Sequence, residues 1–326
     1  MTLAWLAPTP RTQTPRTRPR RALLALATLP FLSACAPPAG PPPPAGTAVT
    51  PSPPSRLAAA ATRSAASQPL IVDPVVPSTD LAVGRNRFSL GLLQTQPGSA
   101  SPVVLPDAQL SLTFFHPIQP QAVPRGEAIT PAFRYVADKR KGLYVAEVDF
   151  DQPGDWGVEV SGVAGERPLT TARVRFTVKP IGATPAVGTA APRSRNPTRY
   201  DVDDIRKIDT GATPNDMHEL SIAAAIEQGK PLVVVFASPG FCVTQTCAPQ
   251  LGEVQRLQAR FGAQANFVHV EIFKDPMGRT PFETVTEWRL TSEPWTFLVD
   301  RQGLIAAKFE GQAPYAELEP ALQALL

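Results

Sequence analysis

The fold of this chain is decided by one stretch, LVVVFASPGFCVTQTCAPQ at residues 232–250. Its first six residues are apolar without interruption, which is typical of a strand in the centre of a sheet. A loop with two cysteines follows, Cys242 and Cys247. Beyond Cys247 the apolar residues recur at helical spacing, as Leu251 and Val254 do. The stretch therefore predicts a strand, a cysteine-bearing loop and a helix.

Strands and helices alternate on both sides of this stretch, from residue 216 to the end of the chain. Ser221 suits the N-cap of a helix that Gly229 and Pro231 stop. The predicted helices are 222–228, 248–261, 282–288 and 315–326, and the predicted strands are 232–237, 266–273, 296–300 and 304–309. A short turn joins the last two strands into a hairpin. This order predicts an α/β domain with a central mixed sheet flanked by helices.

Residues 216–326 resemble the thioredoxin superfamily. The resemblance rests on the apolar strand, on the cysteine loop that runs into a helix, and on Glu293-Pro294-Trp295-Thr296 at the entry to a strand. It implies that a cis peptide bond precedes Pro294 and that this proline packs against the reactive sulfur. Because a cis bond before proline is uncommon, this is a specific expectation.

The segment Cys247-Ala248-Pro249-Gln250 resembles the family's Cys-Gly-Pro-Cys with Gln250 in place of the second cysteine. The resemblance implies that Cys247 attacks a partner disulfide from the start of a helix. There, unpaired N–H groups and the helix dipole lower the pKa of a thiol. Cys242, five residues earlier, would resolve the mixed disulfide. We therefore expect thiol–disulfide exchange by this pair.

Other functions are compatible with the same residues. The domain would be a non-catalytic binding module of the cell envelope if Cys242 and Cys247 formed a permanent structural disulfide. Peroxiredoxin-like peroxidases carry Pro-x-x-x-Thr-x-x-Cys, which Pro239, Thr244 and Cys247 match with one residue too many. Copper-assembly proteins use a histidine late in the domain, whereas none follows His269 in this sequence.

The sequence also offers candidates for proton transfer. Thioredoxins often place a buried aspartate in the strand before the cysteines, and this strand is apolar throughout. The neighbouring predicted strand carries His269 and Glu271, and alternate residues of a strand share one face. These two residues are the candidates. We expect no metal ion and no cofactor.

The N-terminus has the pattern of an export signal. An arginine-rich stretch ends at Arg21, and the apolar run at 22–32 is too short to span a bilayer. The run closes with Leu32-Ser33-Ala34-Cys35, which resembles a bacterial lipoprotein signal. This resemblance predicts a signal peptide at 1–35, lipid on Cys35 and a membrane-anchored extracytoplasmic protein of the periplasm or cell surface. Cys242 and Cys247 are then the only pair left, and outside the cytosol we expect it to be oxidised at rest.

Three segments separate this signal from the thioredoxin-like domain. Residues 36–68 are rich in Pro and Ala and predict a disordered tether, and residues 181–215 predict a linker. Residues 69–180 show short runs with period-two alternation. The predicted strands there are 87–93, 109–115, 132–137, 143–150, 156–163 and 171–178, with a further one at 70–72. They predict a β-sandwich. Gly142-Leu143-Tyr144 leads one strand and Gly154-Asp155-Trp156 opens the next, and through these motifs the segment resembles the immunoglobulin-like modules of exported bacterial proteins.

The charge balance restricts the partners. Residues 1–35 hold five arginines and no acid, which leaves 26 basic against 28 acidic residues after cleavage. A nearly neutral chain without a basic face argues against nucleic acid. We expect the partners to be protein thiols or disulfides in the cell envelope, and the membrane through the lipid on Cys35.

Overall fold

The computed structural model describes residues 68–94, 102–117, 122–135, 142–242, 246–275 and 279–326. The predicted signal peptide with Cys35, and the predicted tether up to residue 67, lie outside the described residues. Thr244 of the cysteine loop also lies outside them.

The N-terminal region is built from two antiparallel sheets. The first sheet contains β1 (Asp73–Val75), β2 (Gly84–Gln94), β3 (Val103–Val104), β5 (Ala132–Tyr135) and β6 (Gly142–Phe150). The second contains β4 (Gln109–Phe115), β7 (Gly154–Ala164), β8 (Arg167–Pro168) and β9 (Ala172–Val178). Three of these strands, β1, β3 and β8, are too short for a periodic signal, which is why the sequence pattern missed them.

One apolar core joins the two sheets. Alternate residues of β4, among them Leu112 and Phe114, point into the core while the residues between them are half-buried. Phe114 meets Phe88 of β2 edge to face, with ring centroids 5.2 Å apart. Trp156 of β7 is buried and packs against Phe150. A sheet-rich N-terminal region is therefore confirmed, and its assignment to the immunoglobulin-like class stays a prediction.

The segment predicted as a linker, 181–215, runs along the C-terminal part of the chain. The amide of Ala191 donates to the carbonyl of Gly303 at 2.9 Å, and the Asn196 side chain accepts from the amide of Ile222 at 2.8 Å. A 3-10 turn, Ile205–Lys207, lies near the end of the segment. The domain boundaries themselves stay a prediction.

The C-terminal sheet is mixed, as expected. It contains β10 (Leu232–Phe236), β11 (Asn266–Val270), β12 (Trp295–Val299) and β13 (Ile305–Glu310) in the order β11-β10-β12-β13. β10 pairs with β11 in parallel, and the β10–β12 and β12–β13 pairs are antiparallel. Every residue of the apolar strand β10 is buried, because helices cover both of its faces.

Within the described part of the C-terminal region, four helices flank this sheet: α1 (Ile222–Glu227), α2 (Cys247–Phe261), α3 (Glu283–Glu287) and α4 (Tyr315–Gln323). Helices α1 and α3 share one core with the sheet, and α2 and α4 share the other. The hydroxyl of Ser221 caps α1 by accepting from the amide of Ala224, as predicted. None of the helices in the described ranges has the length and apolar character that crossing a membrane requires.

Candidate thiol site

The two cysteines lie beyond the carboxyl end of β10. A tight turn places Cys242 there, because the amides of Phe241 and Cys242 both donate to the carbonyl of Ser238, at 3.1 and 2.9 Å. Cys247 is the first residue of α2. The turn and the helix start bring the two sulfur atoms within 4.8 Å of each other.

The two sulfurs differ in exposure, and the difference corrects one expectation. Cys247 is fully buried at 0 % exposure, whereas Cys242 is partly exposed. A hydrogen bond with Cys242 and burial hold the pKa of the Cys247 thiol well above its ordinary value. The expected lowering of this pKa by the helix N-terminus is therefore wrong. The side chain faces the core beneath the loop, where water cannot solvate a thiolate.

A close backbone approach anchors the turn before Cys242. The amide of Gly240 donates to the hydroxyl of Thr210 at 2.9 Å. A β-carbon at position 240 would lie 2.7 Å from the carbonyl oxygen of Thr210, closer than ordinary packing permits. Only glycine fits there, so the predicted linker segment supports the cysteine loop directly.

Glu271 lies beside this turn. Its carboxylate accepts from the hydroxyls of Thr210 and Ser238, and Ser238 is the residue that turns the chain toward Cys242. Burial raises the pKa of Glu271, although these hydrogen bonds oppose the rise. The structure thus places this candidate beside the turn, where it supports Ser238 instead of contacting a sulfur.

His269 belongs to a separate buried cluster. Its Nε2 lies 3.0 Å from the carbonyl oxygen of Ala237 and must donate to it, so Nδ1 is the acceptor in the neutral ring. Nδ1 lies 3.1 Å from Nε2 of His218, which is in turn 3.2 Å from Oδ2 of Asp209. Burial lowers the pKa of His269 to about 4. The ring is therefore neutral at physiological pH.

Asp209, His218 and His269 are residue types that bind metals, and their ligand atoms lie within 4.8 Å of one another. However, the side-chain amide of Asn215 donates to Asp209 at 2.7 Å and to Nδ1 of His269 at 2.9 Å. The Asn215 side chain thus already donates to two of the atoms that would bind a cation. The cluster is better described as a buried hydrogen-bond network than as a metal centre.

The loop before β12 forms the other wall of the site. The peptide bond between Glu293 and Pro294 is cis, as expected, and Pro294 is buried. The indole of Trp295 donates to the hydroxyl of Ser292 at 3.0 Å, and this hydroxyl donates to Glu310 at 2.6 Å. These contacts fix the turn that contains the proline.

Sequence reasoning missed Glu293. A carboxylate oxygen of this residue lies within 4.8 Å of both sulfurs. The sequence contained a signal for it: Pro294 was expected to pack against the reactive sulfur, and Glu293 directly precedes Pro294. Its carboxylate could therefore have been predicted to lie beside the cysteines.

Comparisons with known proteins agree with this geometry. Residues 219–326 match the family description of a thioredoxin-like domain. Among curated proteins, none matches the chain.

Two solved structures are similar to part of the chain. One is a thiol:disulfide interchange protein of the thioredoxin family from Chlorobium tepidum TLS, with 16 % identity and a TM-score of 0.27 over 32 % of this chain and 85 % of that one. The other is a thio-disulfide isomerase from Thermus thermophilus, with 24 % identity and a TM-score of 0.25 over 29 % of this chain and 79 % of that one.

The mixed sheet, the cysteine loop at the start of α2 and the cis-proline turn before β12 lie within or beside the matched residues. Residues 219–326 form a thioredoxin-like domain of the thioredoxin superfamily.

Proposed function

We propose that the thioredoxin-like domain carries out thiol–disulfide exchange through Cys242 and Cys247. The observation that carries the proposal is the unequal exposure of two adjacent sulfurs, one partly exposed and one fully buried. Such a pair suits a two-step reaction in which the accessible sulfur meets the partner and the buried one completes the exchange.

The exposure favours the reverse of the order expected from the sequence. Cys242 is accessible, and its hydrogen bond with Cys247 favours a proton on Cys247. In the proposed reaction the Cys242 thiolate attacks a partner disulfide and one partner thiolate leaves. The Cys247 sulfur, having lost its proton, then attacks Cys242, and the second partner thiolate leaves. The partner disulfide is reduced to two thiols, and the pair is oxidised to a disulfide.

The location and partners are part of the same proposal. Leu32-Ser33-Ala34-Cys35 supports lipid attachment at Cys35, which would hold the protein at a membrane outside the cytoplasm. The partners would be protein thiols or disulfides of the cell envelope, and Pro294 would shape the groove that receives them. Membrane fractionation of the parent and of Cys35→Ala tests the anchor.

A second candidate function is a binding module. In that case an immunoglobulin-like N-terminal region recruits an envelope partner, and the Cys242–Cys247 disulfide only stabilises the loop. A reduction potential below about −300 mV would favour this role, because structural disulfides resist reduction by cellular thiols.

Alkylation of single-cysteine variants tests the exchange. Both variants carry Cys35→Ala, so that one thiol remains in each. Cys247→Ser keeps the accessible Cys242. Between pH 5 and 9 it should react with iodoacetamide much faster than Cys242→Ser does. It should also accumulate mixed disulfides. Cys242→Ser keeps only the buried thiol and should do neither. Equal alkylation rates, together with equal losses of stability, would instead support the structural disulfide.

A further inference from the structure

We propose that Glu293 is the proton acceptor for Cys247 in the resolving step. The inference rests on the proposed exchange and assigns a role within it. Glu293 provides the carboxylate that lies within 4.8 Å of both sulfurs. It precedes the buried Pro294, so the loop before β12 holds it against the cysteine loop.

The resolving step needs a base at this point. In the mixed disulfide Cys242 is bonded to the partner, and Cys247 attacks it only after losing its proton. The Cys247 sulfur is fully buried, so solvent hydroxide does not reach it readily. A carboxylate within 4.8 Å lies near enough to take this proton through one water.

In the complete step Glu293 passes the proton from Cys247 to the departing partner thiolate. The carboxylate takes the proton from Cys247, the Cys247–Cys242 bond forms, and the bond between Cys242 and the partner breaks. Glu293 also lies beside Cys242, where the partner thiolate leaves, and can protonate it. The carboxylate is then regenerated, and no other oxidant or reductant is needed.

Charged residues lie in the segments around Glu293. Arg279, from the loop after β11, and Arg289, after α3, line the same groove of about 580 Å³. Glu310 of β13 is connected to the turn through the hydroxyl of Ser292.

An electrostatic role without proton transfer predicts the opposite effect of substitution. The negative charge of Glu293 is one of the smaller causes that raise the pKa of Cys247. If charge were its only influence, Glu293→Gln would ease ionisation of Cys247 and speed resolution. A proton acceptor predicts that the same substitution slows resolution. The sign of the change therefore decides between the two roles.

The experiment follows the reaction of the reduced full chain, carrying Cys35→Ala, with 2,2′-dithiodipyridine. This neutral disulfide releases one pyridine-2-thione when Cys242 attacks and a second when Cys247 resolves. In Glu293→Gln the first phase should persist, and the second should slow by about 100-fold near neutral pH. The slow phase should then rise in proportion to hydroxide concentration. Glu293→Asp should recover part of the rate.

Glu287→Gln is the matched control, because Glu287 is an exposed carboxylate at the end of α3 and has no part in the site. It should leave the second phase unchanged. A second phase of equal or greater rate in Glu293→Gln would overturn the inference and leave the exchange itself intact. Absence of the first phase in the parent protein would instead overturn the proposed exchange.

Discussion

His269 shows how strongly one environment changes the chemistry of one residue. The ring is fully buried and faces a second histidine, His218. Burial, with a smaller effect of His218, lowers the pKa of His269 from 6.5 to about 4. The unfolded chain therefore binds a proton between these pH values while the folded chain does not. The free energy of unfolding must fall as the pH falls through this window.

We predict an acid-sensitive stability that depends on this residue. Between pH 6.5 and pH 4, His269 alone should remove about 3 kcal/mol of stability. His269→Gln should be less stable at pH 7, since it loses buried hydrogen bonds, but its stability should change less over the same interval. Urea unfolding at a series of pH values measures how steeply the free energy of unfolding changes with pH, in the parent and in the variant.

The matched control is His116→Gln. His116 is stacked on Trp156 in the N-terminal region, and its substitution leaves the surroundings of His269 in place. The variant should therefore keep the slope of the parent. An equally steep slope in His269→Gln would contradict the assignment.

At the scale of elements, helix α2 is tied to the sheet by a side chain in its first turn and a half. Gln250 is fully buried, and its amide nitrogen donates to the hydroxyl of Thr296 in β12 at 2.9 Å. Its oxygen accepts from the amide of Ala313, before α4, at 2.7 Å. Gln250 thus connects α2 to a strand and to the segment that leads into the last helix. It stands where the family pattern has a second cysteine, and its role here is structural.

We predict that Gln250→Ala destabilises the protein by about 2–4 kcal/mol, because the amide of Ala313 and the hydroxyl of Thr296 lose their buried partner. Gln258→Ala is the control, since Gln258 lies on the same helix and makes an exposed hydrogen bond with Asp216. Gln258→Ala should change the free energy of unfolding by no more than about 0.5 kcal/mol. Equal losses in the two variants, measured by chemical unfolding, would show that Gln250 does not hold the elements together.

At the scale of the whole molecule, Asp80 connects three parts of the chain. It lies before β2 and is 5 % exposed. Its carboxylate accepts from the amides of Ala183 and Thr184 in the predicted linker at 2.6 and 3.1 Å, and from Lys308 of β13 at 3.3 Å. Burial opposes its charge, but the hydrogen bonds, led by the Thr184 hydroxyl, and the charge of Lys308 lower its pKa to about 2.

This contact predicts a second acid-dependent loss of stability. The folded pKa of Asp80 lies below its ordinary value of 3.8, so the ionised carboxylate stabilises the fold above that pH. About 2 kcal/mol should be lost as the pH falls from about 4 to about 2. Asp80→Asn should lose at least this much at pH 7, since an amide nitrogen would face N–H donors.

The control is Asp73→Asn, which changes an exposed aspartate of β1. It should unfold as the parent does. Limited proteolysis gives an independent measurement, because Asp80→Asn should expose residues 181–190 to cleavage and Asp73→Asn should not. Unchanged cleavage in both variants would exclude Asp80 as the anchor of this segment.

The sequence by itself determined the order of elements and the family of the C-terminal domain. The unbroken apolar run of β10 and the helical spacing after Cys247 are local patterns, and both elements form within one residue of the predicted start. The resemblance of Glu293-Pro294-Trp295-Thr296 to the family's motif implied the cis peptide bond, which the structure contains. Such features depend on neighbours in the chain, and these can be read from the sequence.

Only the tertiary structure decided which sulfur is accessible and which carboxylate lies beside it. A helix start lowers the pKa of a solvated thiol, but the hydrogen bond with Cys242 and the burial of Cys247 raise it here. His269 and Glu271 were predicted to share a strand face, but β11 ends at Val270 and the two residues belong to different hydrogen-bond networks. Residues 181–215 have the composition of a linker, but hydrogen bonds from Ala191 and to Asn196 hold them to the domain. Burial and long-range pairing depend on segments far apart in the chain, so no local pattern carries them.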